Sequence, residues 1–461
     1  MTNNRKISEH LVEMRRFYES GATKSYAFRK KQLLQLKTIV LQQEEAIYNA
    51  LYSDLKKSKE EAYVTENGLI LAEISSTIKH LGTWMKPSST RTNLLNFPSS
   101  CKIYRDPLGV VLIIAPWNYP LQLLLIPLAG AIAGGNCVIL KPSEFAPATA
   151  TLVETMIASA FPGEYIKVFN GEGEIIIPEM MNAFRFDHIF YTGSTSVGKH
   201  IYAMAAQKLT PVTLELGGKS PAVVEEDADI TIAAKRIVLG KFINAGQTCI
   251  APDYILVHEN IKEKLLEAIR EAILQFWNGD PKASADYGKI ISLKRYEKLR
   301  TYLTEGKIFI GGESDQSTLF FAPTILTDVS LNSAVMQEEI FGPILPVIPY
   351  KSTQEAIDIV KRNNHPLAFY LFTENKQTEK TWIDAIQFGG GCINNVAWQF
   401  TNKHLPFGGV GNSGLGTYHG WHSFQTFTHA KPVMKSPTWF DPAIKYPPLK
   451  GKLKWIKTLL K

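Results

Sequence analysis

The 33 residues from Leu108 to Leu140 carry no charged side chain. A run that apolar must either cross a membrane or lie in a protein interior. Pro116, Asn118, Pro120, Gln122 and Pro127 interrupt it, so it cannot form one uninterrupted spanning helix. It parses instead as a strand (VVLIIA), a loop (PWNYP), a helix (LQLLLIPLAGAIAGG) and a second strand (CVIL). Strands apolar on both faces belong in a parallel sheet covered by helices on each side. The expected fold class is therefore α/β, built on a doubly wound parallel sheet.

Two further strand-to-turn passages extend this pattern: Tyr165–Phe169 running into NGEGE, and His188–Tyr191 running into TGSTSVGK. In the second, Gly193 and Ser194 form the turn, and a helix starting near Thr195 would aim free N–H groups at a pyrophosphate. Taken alone, the same residues also read as an ordinary helix cap. Beyond Pro221 the alternation resumes. Ile230–Asn244 and Ile261–Trp277 have helical periodicity, while Tyr254–Val257, Ile308–Ile310 and Phe369–Phe372 read as extended. With 461 residues, two or three lobes are expected. The first 85 or so residues read as packing helices, with Ile7, Leu11, Met14 and Tyr18 at helical spacing. Trp84–Ser100 is polar and proline-punctuated, and Cys101–Tyr104 is a short extended candidate. Gly409, Gly411 and Gly414 match a dinucleotide-binding spacing but follow no strand, so they read as a glycine-rich loop.

The cysteines at 101, 137, 249 and 392 have neither disulfide-framework nor zinc spacing. Of these, Cys249 stands apart, because Ala245 and Gly246 before it let the backbone pass close to a ligand. Glu215, at the end of an apolar run beside Gly217 and Gly218, is a carboxylate on a separate element. The pair has the composition of a nucleophile and a base: a thiolate attacks a carbonyl carbon, and a carboxylate activates water for release. The alternatives are a buried cysteine that only packs and a carboxylate that accepts N–H bonds from the adjacent glycines. Asn118 could donate to an oxyanion with the Cys249 N–H, or cap a turn before Pro120.

In order, the chain contains PWNYP, LKPSE, YTGSTSVGK, LELGGKSP, GQTCIAPDY, EIFGP and LPFGGVGNSG. From about Tyr104 to His429 it resembles the aldehyde dehydrogenase superfamily, and GQTCIAPDYIL is similar to its class 3, fatty-aldehyde branch. The resemblance implies a Rossmann-type cofactor domain (1–86 and 108–215), a catalytic domain (216–412), a small β oligomerisation flap with the carboxy-terminal segment (87–107 and 413–440) and a basic tail (441–461). It implies catalytic roles for Cys249, Glu215 and Asn118. Cofactor contacts are implied at Pro116, Trp117, Lys141, Glu144, Gly193, Ser194, Val197, Gly198, Leu216, Glu339 and Phe341. Lys141 and Glu144 would meet the adenine ribose, and Glu339 and Phe341 the nicotinamide ribose and ring. An acid at 144 repels a 2′-phosphate, which favours NAD, with NADP as the alternative. The implied reaction is oxidation of medium- or long-chain aliphatic, or aromatic, aldehydes to carboxylic acids through a thiohemiacetal and a thioester. The rival readings are a relative that passes the acyl group to coenzyme A or phosphate, a thiol hydrolase, and an inactive cofactor-binding protein.

The formal charge of +7 does not point to nucleic acid. Six lysines at 445, 450, 452, 454, 457 and 461 carry most of it, leaving a nearly neutral body without a broad basic face. In that tail Leu449, Leu453, Ile456 and Leu460 recur at helical spacing, so an amphipathic basic helix is expected, too short to span a membrane but suited to peripheral contact with an anionic one. Docking on the protein's own surface is the alternative. His419 and His422 are three apart without a third ligand, so no metal is expected. The amino terminus has no secretory apolar core, and a cytoplasmic protein is expected. A homodimer is expected from the resemblance, since the longer amino-terminal extension of the tetrameric branches is lacking.

Overall fold

A computed structural model describes residues 2–460. The uncharged run folds as its pattern requires. Val110–Ile114 and Cys137–Lys141 are fully buried parallel strands, joined through the buried helix Gln122–Gly134. They belong to a six-stranded sheet whose order is Gly414–Leu415, Val212–Glu215, His188–Thr192, Val110–Ile114, Cys137–Lys141, Ile166–Val168. All neighbours are parallel except the first pair, in which Gly414 lies opposite Glu215. From Val110–Ile114 the chain first winds outward through 137–141 and 166–168, then returns to the other side of that strand at 188–192. That reversal is a topological switch point, and ligands of open α/β sheets bind outside the carboxyl ends of the strands that flank it. Here those ends lead into Pro116-Trp117-Asn118 and Gly193-Ser194.

The second sheet has seven strands in the order Lys307–Ile310, Thr324–Thr327, Ile344–Tyr350, Tyr254–His258, Pro221–Val224, Ala368–Phe372, Gly390–Ile393. Only the 307–310 edge is antiparallel. Each sheet organises its own hydrophobic core.

The amino-terminal segment is helical, and Ile7, Leu11 and Met14 are buried while Tyr18 is half-buried. The extended stretch at Cys101–Tyr104 is longer than its four residues. Ser100–Pro107 runs antiparallel to Thr428–Lys435 along its whole length, with Ser88–Thr90 on the other side. Seven of the eight residues of Thr428–Lys435 are exposed.

The glycine-rich loop at 409–414 binds no strand-to-helix turn, yet it has a structural task. Leu216 donates its N–H to Ser413 O (3.0 Å), and a Cβ on Gly409 would strike the backbone at Ser413 and Gly414. The loop thus closes the free edge beside Glu215.

At the carboxy end the expected helix is shorter than its periodicity. Gly451 adopts a left-handed conformation (φ 84°), so the helix starts only at Leu453 and runs to Leu459, leaving Leu449 outside it. Leu449, Leu453 and Leu460 are exposed and Ile456 is half-buried, so most of this stripe does not dock on the protein's own surface. Lys461 lies outside the described residues. Among the described residues no helix is long and apolar enough to cross a membrane.

Candidate active site

Cys249 follows a backbone reversal. Asn244, Ala245 and Gly246 are consecutively left-handed (φ 53°, 50° and 73°), and a Cβ at position 246 would run into the backbone of Gly342 and Pro343. Only glycine fits there, and the close approach packs the cysteine loop against Glu339-Ile340-Phe341-Gly342-Pro343. The side chain of Gln247 holds the turn from within, donating to Asn244 O and Lys289 O (3.0 Å each) and accepting from Ile291 N–H (3.0 Å).

The sulfur stands where two cavities meet, since Cys249 and Leu123 line both. One cavity, of about 820 Å³, opens at the switch point of the first sheet. Pro116, Trp117, Asn118, Gly193, Ser194, Glu215, Leu216, Glu339 and Phe341 all border it, so nine of the expected cofactor and catalytic positions converge with the cysteine. The helix Thr195–Ala206 begins at its rim, with the Ser194 hydroxyl capping Val197 N–H. The Trp117 and Phe341 rings meet edge to face at 5.3 Å. Phe341 has φ 48°, a conformation costly for a bulky residue, so it is a placed wall and not ordinary core packing.

Four expected positions do not border this cavity. Val197 and Gly198 lie in the first turn of the capped helix. A Cβ on Gly198 would come within 2.6 Å of Leu216, so that glycine sets how closely helix and sheet pack. Lys141 and Glu144 lie at the end of the next strand, ion-paired to each other at 2.5 Å, and Glu144 also accepts Gly173 N–H (2.9 Å). Burial alone would raise the Glu144 carboxyl, but the bonds from Lys141 and Gly173 outweigh it and hold it below the ordinary range.

The electrostatics of the crevice are unusual for a protein interior. Glu215 is buried, and neither of its carboxylate oxygens has a hydrogen-bond partner. Its alternative role as an acceptor for the adjacent glycines is thereby removed. Burial holds its pKa well above the ordinary carboxylate value. Burial, together with the carboxylates of Glu339 and Glu215, pushes the Cys249 thiol up to about 12. Burial and Asp253 push Glu339 up to about 8, against opposing contributions from Gly218 N–H, Arg295 and Lys219. Asn118 does not cap its own turn. Its amide donates to Gln247 O (3.0 Å), and its Oδ1 is buried without a partner. Thr192 Oγ1 and Arg295 Nε are likewise unpaired beside the cavity. Buried polar atoms are almost always satisfied, so this concentration marks a place where a polar ligand completes the bonding.

The other cavity, of about 750 Å³, is nearly all apolar, with Tyr119, Leu239, Val396, Trp398, Phe400 and Phe407 in its wall. His419 joins that wall. Its ring stacks on Phe407 with centroids 5.5 Å apart, and burial lowers its pKa to about 4, keeping it neutral. A polar crevice and an apolar chamber thus both reach Cys249.

A profile of the aldehyde dehydrogenase family matches residues 3–433. The chain belongs to the aldehyde dehydrogenase family. It is 45% identical over 457 residues to the 4,4'-diaponeurosporen-aldehyde dehydrogenase of Staphylococcus aureus, with 99% of each chain covered. It is 43% identical over 457 residues to aldehyde dehydrogenase family 3 member A2 of Macaca fascicularis, covering 98% of this chain and 94% of the relative. A solved structure described as the substrate-bound state of Staphylococcus aureus AldH superposes with a TM-score of 0.96 at 44% identity, over 99% of each chain. The enzyme is therefore an oxidoreductase that oxidises aldehydes with a nicotinamide cofactor.

Several residues of this aldehyde dehydrogenase site escape a reading of its motifs. Arg295, on the helix Leu293–Tyr302, borders the crevice and donates to Ile340 O. Lys219 and Asp253 form a buried ion pair, and Asp253 accepts Ile340 N–H (3.0 Å), which steadies the backbone next to Glu339. Lys57 and Glu66 are fully buried behind Asn118. Lys219 and Asp253 fall within LELGGKSP and GQTCIAPDY, whereas Arg295, Lys57 and Glu66 lie in none of the motifs, and what all five do depends on packing between distant segments.

Proposed function

We propose that Cys249 is the nucleophile, Asn118 the oxyanion donor and Glu215 the base of acyl release. The observation carrying this reading is the position of Cys249, which with Leu123 lines both the polar crevice and the apolar chamber and is the only nucleophile to do so. The Cys249 thiol gives its proton to solvent in the crevice, the thiolate attacks the aldehyde carbon as the C=O π bond opens, and the Asn118 amide with the Cys249 N–H stabilises the developing oxyanion. When bound, the nicotinamide supplies the hydride acceptor. Pro116, Trp117, Leu216, Glu339 and Phe341 would hold its ring and ribose, and Gly193 and Ser194 its pyrophosphate. Glu215 takes a proton from water as the thioester is cleaved, its unpaired oxygens leaving room for that water.

The apolar chamber supports medium- or long-chain aliphatic, or aromatic, substrates. The Lys141–Glu144 pair supports NAD over NADP, because the Glu144 carboxyl, held below the ordinary range, repels a 2′-phosphate and occupies Lys141. The exposed edge strand Thr428–Lys435, with Val433 and Met434 turned outward, supports a homodimer formed by pairing with a second copy. Exposed Leu453 and Trp455 among the tail lysines, with exposed Trp439 just before them, support peripheral contact with an anionic membrane. Reduction of NAD or NADP followed at 340 nm across a chain-length series of aldehydes, with the product identified as free acid, tests the reading. An acyl-CoA product, or ester hydrolysis without aldehyde oxidation, would overturn it.

A further inference from the structure

The helices that precede the first sheet bring one charged pair into the interior. Lys57 and Glu66 have no solvent exposure, and Lys57 Nζ donates to Glu66 Oε1 at 2.6 Å. The same ammonium donates to Asn118 O (3.1 Å) and lies 4.1 Å above the Tyr119 ring. The other oxygen, Glu66 Oε2, accepts the N–H groups of Leu121 (2.9 Å) and Gln122 (3.1 Å). These are orphan donors at the start of the Gln122–Gly134 helix, where an anion is favoured. The pair therefore grips the turn Asn118–Gln122 at both ends. That turn contains Pro120, which has no N–H with which to hold itself.

Three more bonds tie the gripped turn to the cysteine loop, the first from Asn244 Nδ2 to Asn118 O (2.8 Å). Asn118 Nδ2 donates to Gln247 O, and the hydroxyls of Tyr119 and Thr248 are 2.6 Å apart. Glu66 faces inward from a π-helical turn, Tyr63–Asn67, an irregularity that adds a residue to a helix and often marks a functional position. A buried ion pair is a poor stabiliser, since well-packed apolar residues of similar size do as well or better. Its presence calls for another reason, and the bonds it makes supply one.

We infer that Lys57 and Glu66 are positioning residues that hold Asn118 in register with the Cys249 sulfur. This rests on the reading of Asn118 as the oxyanion donor. The pair touches neither substrate nor cofactor. It acts by keeping the Asn118 backbone fixed while charge develops on the substrate oxygen, and a misplacement of about 1 Å at such a donor costs on the order of 100-fold in rate.

A double-mutant cycle tests this in the full-length enzyme. Replacing both charges with shape-matched apolar groups, K57M together with E66M, avoids stranding one buried charge. We expect kcat to fall roughly 10- to 100-fold, with the NAD dissociation constant, read by fluorescence, unchanged. In an Asn118→Ala background the same double substitution should lower kcat by less than about 3-fold, since the donor it positions is already gone. If the losses multiply instead, the pair serves general integrity and the inference fails. Unchanged turnover in K57M/E66M overturns it as well. If Asn118→Ala alone leaves turnover intact, the oxyanion reading falls, and the positioning role with it. Should K57M/E66M not fold, the isosteric E66Q is run through the same cycle, with a smaller loss expected in the wild-type background and none in Asn118→Ala.

Discussion

The two cavities that share Cys249 differ in almost every respect. The crevice at the first sheet's switch point is crowded with polar atoms that have no partner, while the chamber on the other side is walled by aromatic and aliphatic side chains. Polar atoms without protein partners suit a polar ligand, and an apolar wall suits an apolar one. On the reading proposed above, the cysteine is placed to be reached from both cavities, and each side is shaped for a different kind of molecule.

That division can be broken most completely at the junction itself. Cys249→Ala should lower aldehyde oxidation by roughly 10⁴-fold or more, with NAD affinity unchanged by calorimetry. Loss of NAD binding would mean that the cysteine holds the crevice together.

On the polar side, Glu215→Gln should slow acid release by about 10²- to 10³-fold and leave an acyl-enzyme visible by mass spectrometry of the intact protein. The direction of its pKa shift adds a pH signature. A base whose folded pKa is raised is protonated over a wider range, so the rate of release should climb as pH rises through that value, and Glu215→Gln should flatten the climb. The same shift has a consequence for stability. Because the folded state disfavours the charged form, the contribution of Glu215 is best below its unfolded pKa and is lost as pH rises through its folded one. Glu215→Gln should therefore raise the melting temperature more at alkaline than at acidic pH.

On the apolar side, Trp398→Ala should reduce kcat/KM for long-chain and aromatic aldehydes by roughly 10-fold, in line with the lost apolar contact, and spare short ones. An equal loss for acetaldehyde would show that Trp398 supports the fold and not the chamber. The smallest effect is expected outside both cavities. Glu144→Gln frees Lys141 from its ion pair, and the NADP-to-NAD ratio of kcat/KM should rise by a few-fold, measured at low ionic strength, where exposed charge matters most.

Much of the site was legible because its parts are local. The strand, loop and helix of Leu108–Leu140 follow from where prolines interrupt an uncharged run, and the turn at Gly193-Ser194 announces itself at a strand end. The small residues Ala245 and Gly246 mark the cysteine loop, but the close approach that Gly246 permits is to the backbone of Gly342 and Pro343 and not to a ligand. Lys57 and Glu66 were not legible. In KKSKEEAYVTEN they look like the solvated charges of any amphipathic helix, and only contact with a segment some sixty residues away buries them. Lys141 and Glu144 are plain in their motif, but nothing in LKPSE announces that the two side chains ion-pair with each other. The tail misled by one residue: the apolar spacing continues through Gly451, but a left-handed glycine stops the helix there.

The pairing of Gly414 with Glu215 has a consequence for how the molecule is made. On the ribosome, the strand bearing Glu215 emerges early, and the partner that closes its flank emerges only after nearly the whole second sheet has been synthesised. Until then one side of that strand is open to water, which would ease the carboxyl back toward an ordinary acidity. A product of interrupted translation ending before Gly414 would thus hold both the thiol and the acid in its covalent sequence and still be unable to turn over.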